Sequence, residues 1–411
     1  MATPGHIRLA ALLVVLALAG SLVGCRTAGK PTPESSAPPV PEQYLQVYST
    51  LATALDKFGK HLDGKEPAEG FQVTFGTELL VANANRGPDL LKPQAIQGVA
   101  LFLDRFQEMG IGGVTIAVSY PLYSPDFPRY EEYVAFYKQV AREVRQRGMK
   151  LDVEAGVVFA NTPFSPFEDS FTGFTFEQFK TIKKRMFEAI IRDLQPDYLN
   201  IGAEPDTAAD LTGIRELLDP QKYREYVDYV LDDLEKGKTK VIAGIGSWGN
   251  LAYVRALAQT DLDALDIHIY PVVGNCLANA VAIAEIAAQN GKGLVLDECW
   301  LYKEDRLAAS GVAAAPEAFK RDSYSFWEPL DKQFLTEMAQ FARAYRVEYV
   351  SPFWSNFFFA TLEYDAAYEG LSYTEVVALA NQVTSINVVD GKLSPLGKHY
   401  QQVIAENAGG E

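Results

Sequence analysis

Cysteine and histidine are scarce in this 411-residue chain, with three of the first and four of the second. Three thiols are too few for a disulfide scaffold, and no Cys/His spacing resembles a structural zinc site. His6 lies in the first residues and His61 and His399 near the ends, so a multi-histidine metal centre is not expected. Positive charge is also short. Lys and Arg total 37 against 53 Asp and Glu, a formal charge of −16. Little is left to displace counterions from a phosphate backbone, which argues against a nucleic-acid partner. What the chain has in quantity is aromatic surface: 23 Phe, 21 Tyr and 4 Trp, within a hydrophobic content of 48%. That composition belongs to a packed globular protein. The length suits one large domain or two medium ones.

The first 24 residues have the layout of a secretory signal. Arg8 supplies a short positive start, and the apolar run Leu9 to Leu18 is too short to span a membrane as a permanent helix. The run leads to Leu22-Val23-Gly24-Cys25, which resembles the lipobox of bacterial lipoproteins. The resemblance implies cleavage before Cys25 and transfer of a diacylglycerol to its thiol. An ordinary signal with an incidental cysteine is the competing reading. Arg26 follows, not the Asp that commonly marks inner-membrane retention in such lipoproteins, so an outer-membrane address is implied where the cell has one. Residues 25–43 then form a tether, because Pro31, Pro33, Pro38, Pro39 and Pro41 favour extended, polyproline-like chain. A helical stretch from Glu42 to Leu62 leads into the folded body, residues 44–411.

From Phe71 onward, short apolar runs alternate with amphipathic stretches. The strand candidates are Phe71–Gly76, Gly113–Ser119, Lys150–Gly156, Asp197–Gly202, Lys240–Gly246, Leu265–Tyr270, Gly293–Glu298 and Val347–Phe353. Among the helices, Thr175 to Leu194 carries one apolar stripe, with Thr175 and Gln178 as a capping box and Pro196 as its stop. Tyr130 to Met149, Lys222 to Leu234 and Leu330 to Tyr345 read the same way. Strict alternation implies parallel strands with right-handed crossovers, and eight of them favour a (β/α)₈ TIM barrel. The first strand runs into Thr77-Glu78-Leu79 with no phosphate-cradling glycine pattern, which weighs against a dinucleotide fold.

In such a barrel the site lies at the C-terminal ends of the strands. Strand four runs Tyr198-Leu199-Asn200-Ile201-Gly202-Ala203 into Glu204-Pro205-Asp206, and strand seven ends Leu296-Asp297-Glu298-Cys299-Trp300. Glu298 shares its face with Leu294 and Leu296, expected to fill the barrel, whereas Asp297 should alternate outward as a salt-bridge or cap residue. These motifs resemble the strand-four and strand-seven motifs of the clan-A retaining glycoside hydrolases, which include cellulases, mannanases and galactanases. The resemblance implies Glu204 as general acid/base and Glu298 as nucleophile, with no metal or organic cofactor. Strand six adds His268-Ile269-Tyr270, similar to the clan's His-x-Tyr, and strand eight ends in Trp354, where the clan commonly floors the sugar site. The likeness covers about Phe71 to Phe357. It departs at Ala203, where the clan usually has an Asn that binds the substrate 2-hydroxyl. Asn200 and Asn356 are the candidate substitutes, and the departure also admits a non-catalytic carbohydrate-binding lipoprotein on a degenerate barrel.

Either glutamate alone might as readily solvate the barrel rim; the four motifs in order favour the catalytic assignment. Asp152 and Glu154 share a face of strand three and are expected to pair structurally, and Glu78 is a weaker sugar-hydroxyl candidate. Trp248, Trp300, Trp327 and Trp354 all follow strands on the active side, where flat rings would stack on sugar C–H faces. Tyr120, Tyr123, Phe127 and Tyr130 are candidates to extend that cleft. The long stretch Leu301 to Ser325 is a candidate cover for it. Cys276 and Cys299, just past adjacent strands, would form a disulfide or stay as buried thiols. The expected partners are a carbohydrate substrate and, through Cys25, a membrane.

Overall fold

Residues 38–65, 70–168, 172–306 and 315–407 are described in a computed structural model of the chain. The leader, Cys25 and most of the tether lie outside the described residues. Eight strands are present: β1 (Thr74–Phe75), β2 (Gly113–Ala117), β3 (Lys150–Glu154), β4 (Tyr198–Asn200), β5 (Lys240–Gly246), β6 (Ala264–Ile269), β7 (Gly293–Cys299) and β8 (Val347–Pro352). All pair in parallel, in the order β1-β8-β7-β6-β5-β4-β3-β2. Glu78 bridges Thr115 just past β1, and the Leu79 amide donates to the Thr115 carbonyl at 2.8 Å, which closes the sheet into a barrel. The fold is a (β/α)₈ TIM barrel. Most strands are a few residues shorter than their apolar runs, because the run ends turn into the loops of the mouth.

Local chemistry sets the helix ends. Helix Phe176–Leu194 opens on the capping box of Thr175 and Gln178, and its chain leaves through Gln195 in the left-handed region (φ 48°) before Pro196. The lead-in helix Leu45–Leu62 turns Leu51, Leu55, Phe58 and Leu62 inward and packs on helix Glu328–Tyr345. That packing claims one of the tryptophans. Trp327 is fully buried, stacked on Tyr48 at 5.6 Å between ring centres and on Phe326 at 4.8 Å.

The barrel interior has two layers. At the bottom, Tyr198, Ile242, Ala264, Val295 and Tyr349 form a small apolar plug separate from the main core. Leu199, Val241, Leu265, Leu294 and Leu296 face the other way, into the core beneath the helices. Inward residues on β7 are therefore Val295 and Asp297, not Leu294 and Leu296, and Asp297 points into the barrel. The reason is a register shift. Asp266 faces Val295 but His268 faces Glu298, so β7 carries one extra residue against β6. A bulge of this kind turns neighbouring side chains to the same side, and both Asp297 and Glu298 approach the mouth. Above the plug, Thr115, Asp152, Asn200, Asp266, Asp297 and Ser351 form a polar layer, each at most 1% exposed.

Close strand approach leaves no space at Gly244 on β5, where a Cβ would stand 1.8 Å from the Asp266 carbonyl oxygen on β6. Neither backbone can yield without breaking the ladder. Gly244→Ala is expected to destabilise the barrel by about 3 kcal/mol or more, read as a lower urea midpoint; an unchanged midpoint would refute the packing described.

Candidate active site

A cavity of about 1510 Å³ opens at the C-terminal ends of the strands. Glu204 follows β4 with extended backbone (φ −133°), and Pro205 at the next position starts helix Pro205–Thr212. The Thr207 hydroxyl donates to Glu204 Oε2 at 2.5 Å. Glu298, near the end of β7, lines the same cavity. Between them stands His268 on β6. Its Nδ1 lies 2.8 Å from Glu204 Oε1 and 2.9 Å from Glu298 Oε2. A nitrogen facing two carboxylates must carry its proton, since a lone pair there would be repelled. On the ring's far side Nε2 lies 2.9 Å from Asp297 Oδ1 and 3.4 Å from Asp266 Oδ2. The nearer contact is one of charge, out of line for a hydrogen bond.

The carboxyls differ in how their charge is met. Asn200 Nδ2 donates to Asp266 Oδ2 at 2.9 Å and to Asp297 Oδ2 at 2.7 Å, while its Oδ1 accepts from the Gly202 amide. Thr115 donates to Asp152 Oδ2 at 3.2 Å. Burial opposes charge on His268, but Asp266, Glu298 and Asp297 outweigh it and hold the imidazole well above its ordinary range. Burial, reinforced by neighbouring carboxylates, holds Asp152, Glu154 and Asp266 above the usual carboxylate range. Burial also pushes Glu298 up, with the imidazolium opposing. Asp297 is the exception: burial raises it, but His268 and Asn200 bring it below the ordinary value. Glu204–His268–Glu298 and Asp266–His268–Asp297 each present ligand atoms within 4.8 Å of one another, so these residues could hold a cation. Their charges are already met by the imidazole, Asn200 and Thr207.

The sequence-derived candidates divide. Glu204, Glu298, Tyr270, Trp248 and Trp354 line the cavity, and His268 stands directly beneath it. Trp248 Nε1 donates to Asp206 at 2.9 Å. Asn200 does not reach the cavity; it is spent on the aspartates below. Trp300 is also displaced: 1% exposed, it packs against Phe357 and Phe358 with Lys303 over its ring, because the residue after the bulge turns into the barrel wall. Cys276 and Cys299 are free and buried. Cys276 starts an outer helix, whereas Cys299 is locked in the ladder between Ile269 and Pro352. Tyr123 and its neighbours Tyr120, Phe127 and Tyr130 pack among outer-layer rings such as Phe174, Tyr133 and Tyr137, away from the cavity. Glu78 is buried beneath the mouth, held by Asn83. Glu154, by contrast, lines the cavity, and Asp152 lies deeper.

Sequence reasoning missed three wall residues. Tyr302 and Phe319, within the long stretch after β7, and Phe353 complete an aromatic wall, with Phe319 5.4 Å from Trp354 and 5.9 Å from Tyr270 between ring centres. The segment is pinned by a buried Lys303, paired with Asp322 at 2.8 Å and with Asp331. Its length was the available signal.

With this geometry in place, comparison with known proteins shows where the fold recurs. GH5_18 from Bifidobacterium longum subsp. longum ATCC 55813 is 14% identical, with 82% of this chain and 79% of that one covered and a TM-score of 0.51. GH5_18 from Streptomyces cattleya is 12% identical, with 83% and 82% covered and a TM-score of 0.51. The Bifidobacterium protein has been solved with Manβ1-4GlcNAc and the Streptomyces protein with GlcNAc. At these identities the likeness is one of fold. No family model and no curated protein matches the chain.

The buried titrating layer has a consequence for stability. A group whose pKa is raised in the folded state binds its proton more tightly there than when unfolded. Its contribution is present at low pH and is lost as pH climbs through the folded value. His268, Asp152, Glu154 and Asp266 all act in this sense, and Asp297 alone among them opposes. The melting temperature is therefore expected to fall from about pH 5 to about pH 8, followed by circular dichroism at fixed ionic strength. A rise across that interval would contradict the proton placement.

Proposed function

We propose that the chain is a retaining glycoside hydrolase that cleaves a β-linked poly- or oligosaccharide by double displacement. The observation that carries this reading is the meeting of Glu204 and Glu298, whose nearest oxygens lie within 4.8 Å of each other against one imidazole nitrogen. Double displacement uses carboxyl groups about 5–5.5 Å apart, whereas inversion leaves room for a water at roughly 6.5–9.5 Å. The short approach supports the former. In this reading Glu204 protonates the leaving oxygen and later activates water, and Glu298 attacks the anomeric carbon. A nucleophile must be ionised. Burial opposes that for Glu298, and the His268 imidazolium is the group that favours it. Trp248, Tyr270, Phe319 and Trp354 offer rings for sugar C–H faces. The saccharides bound by the two GH5_18 proteins of the same fold support a carbohydrate in this cavity.

Ala203 favours a second reading, a non-catalytic carbohydrate-binding protein, since a methyl group stands where the clan places an amide. Activity decides between them. Wild type should turn over an activated β-glycoside, Glu204→Gln should lower kcat/KM by about 10²–10⁴-fold, and azide should rescue Glu298→Ala as an inverted glycosyl azide. Equal cleavage by wild type and Glu298→Ala would remove the nucleophile assignment. Glycan binding with no turnover of any substrate would favour the second reading.

The envelope address is part of the same proposal. Among the described residues no helix is long and apolar enough to cross a membrane, and the reading rests on the lipobox at Cys25. Expressed in a bacterial host, the wild-type protein should fractionate with membranes and carry a lipid-modified N-terminus. Cys25→Ala should move it to the soluble fraction; membrane association unchanged by that substitution would rule out the anchor.

A further inference from the structure

The cavity that holds Glu204 and Glu298 continues past the barrel mouth on two sides. Toward β4 and β5 it reaches Asp206, Leu211 and Trp248. Beyond Trp354 it runs as an arm between helix Ala95–Glu108 and helix Tyr373–Asp390, the latter following the last strand. Helix Tyr373–Asp390 gives the arm one face, with Thr374, Val377, Asn381 and Ser385 recurring at three- and four-residue steps.

Polar atoms at the junction lack partners. Asn356 Oδ1 is buried and accepts no hydrogen bond, although its Nδ2 reaches Asn381 Oδ1 at 3.3 Å. Trp354 Nε1 is likewise buried without an acceptor, and both residues line the cavity. Arg86, on the arm's other wall, makes no hydrogen bond or ion pair with any described residue. Buried polar groups are rarely left unmatched, and such groups in a cavity point to a ligand that matches them. An amide oxygen, an indole N–H and a guanidinium, set around apolar surface from Leu101 and Val377, suit a ligand dense in hydroxyls that both donate and accept. The arm is continuous with the candidate catalytic pair, so its occupant is more of the same chain.

We propose that this arm, walled by helix Tyr373–Asp390 with Asn356, Asn381 and Arg86, is a saccharide subsite for units beyond the bond that is cleaved, so that the enzyme attacks within a chain. The proposal rests on the glycosidase reading above. The experiment uses ladders of β-1,4-linked gluco-, manno- and chito-oligosaccharides from two to six units, measured both by turnover and by calorimetric binding to Glu298→Gln. For the ladder that is accepted, affinity and kcat/KM should climb with length. Asn381→Ala and Asn356→Ala should each cut the six-unit to two-unit kcat/KM ratio at least tenfold. Val383→Ala, exposed on the same helix outside the cavity, should leave that ratio unchanged. Length-independent affinity, an unmoved ratio in both asparagine variants, or no binding by any ladder overturns the subsite. Length-dependent binding that Asn381→Ala weakens, with no turnover by wild type, keeps the subsite and removes only the glycosidase reading.

Discussion

The mouth of this barrel depends on one imidazole. His268 contacts Glu204, Glu298, Asp297 and Asp266 within 3.4 Å, and so ties β4, β6 and β7 together through charge. Carboxylates this close repel strongly in a low-dielectric interior, and a cation among them changes the sign of the interaction. The approach of Glu204 to Glu298 follows from this. Each is drawn to the same Nδ1, and neither position makes electrostatic sense without the proton it carries.

The rest of the polar layer compensates for what a single cation cannot. Asn200 divides its amide hydrogens between Asp266 and Asp297, and Thr115 serves Asp152 and Ser351. The apolar plug of Tyr198, Ile242, Ala264, Val295 and Tyr349 lies below and fills the barrel conventionally. Stability and chemistry are thus stacked along the axis, hydrophobic burial beneath and titrating groups above. The extra residue on β7 makes the upper layer possible. Without it, Asp297 and Glu298 would face opposite ways, and only one of them could meet His268.

The barrel was legible because period and punctuation agree along the chain. Eight apolar runs, the Thr175 capping box and Pro196 each point to the same architecture, and all recur in the structure. Glu204 and Glu298 were legible for a different reason, as short motifs placed at the ends of strands four and seven. The failures share a cause. Strict alternation put Asp297 outside and Leu296 inside, and a one-residue bulge reversed both, because parity propagates an error down the strand. Trp300 was misplaced by the same slip. Trp327 failed otherwise: nothing local announces that the lead-in helix will pack over it. The aromatic wall of Tyr302, Phe319 and Phe353 draws on two loops, and such convergence has no periodic signature.

Ala203 then becomes a question of where hydroxyl recognition resides. A methyl beside Glu204 donates and accepts nothing. Asn200 cannot stand in, because both faces of its amide are committed to Asp266, Asp297 and the Gly202 amide. What the cavity does present is Glu154 on the β3 side, with Glu298 as its charged neighbour, and Asn356 on the β8 side with its carbonyl open. Recognition has to act from flanking strands. A carboxyl and an amide oxygen both accept, so the sugar must face them with donating hydroxyls, or with an amine. The polar layer that holds Glu204 and Glu298 together has consumed the asparagine nearest to them, and this constraint moves substrate selection outward toward the loops and the helix that follows the barrel.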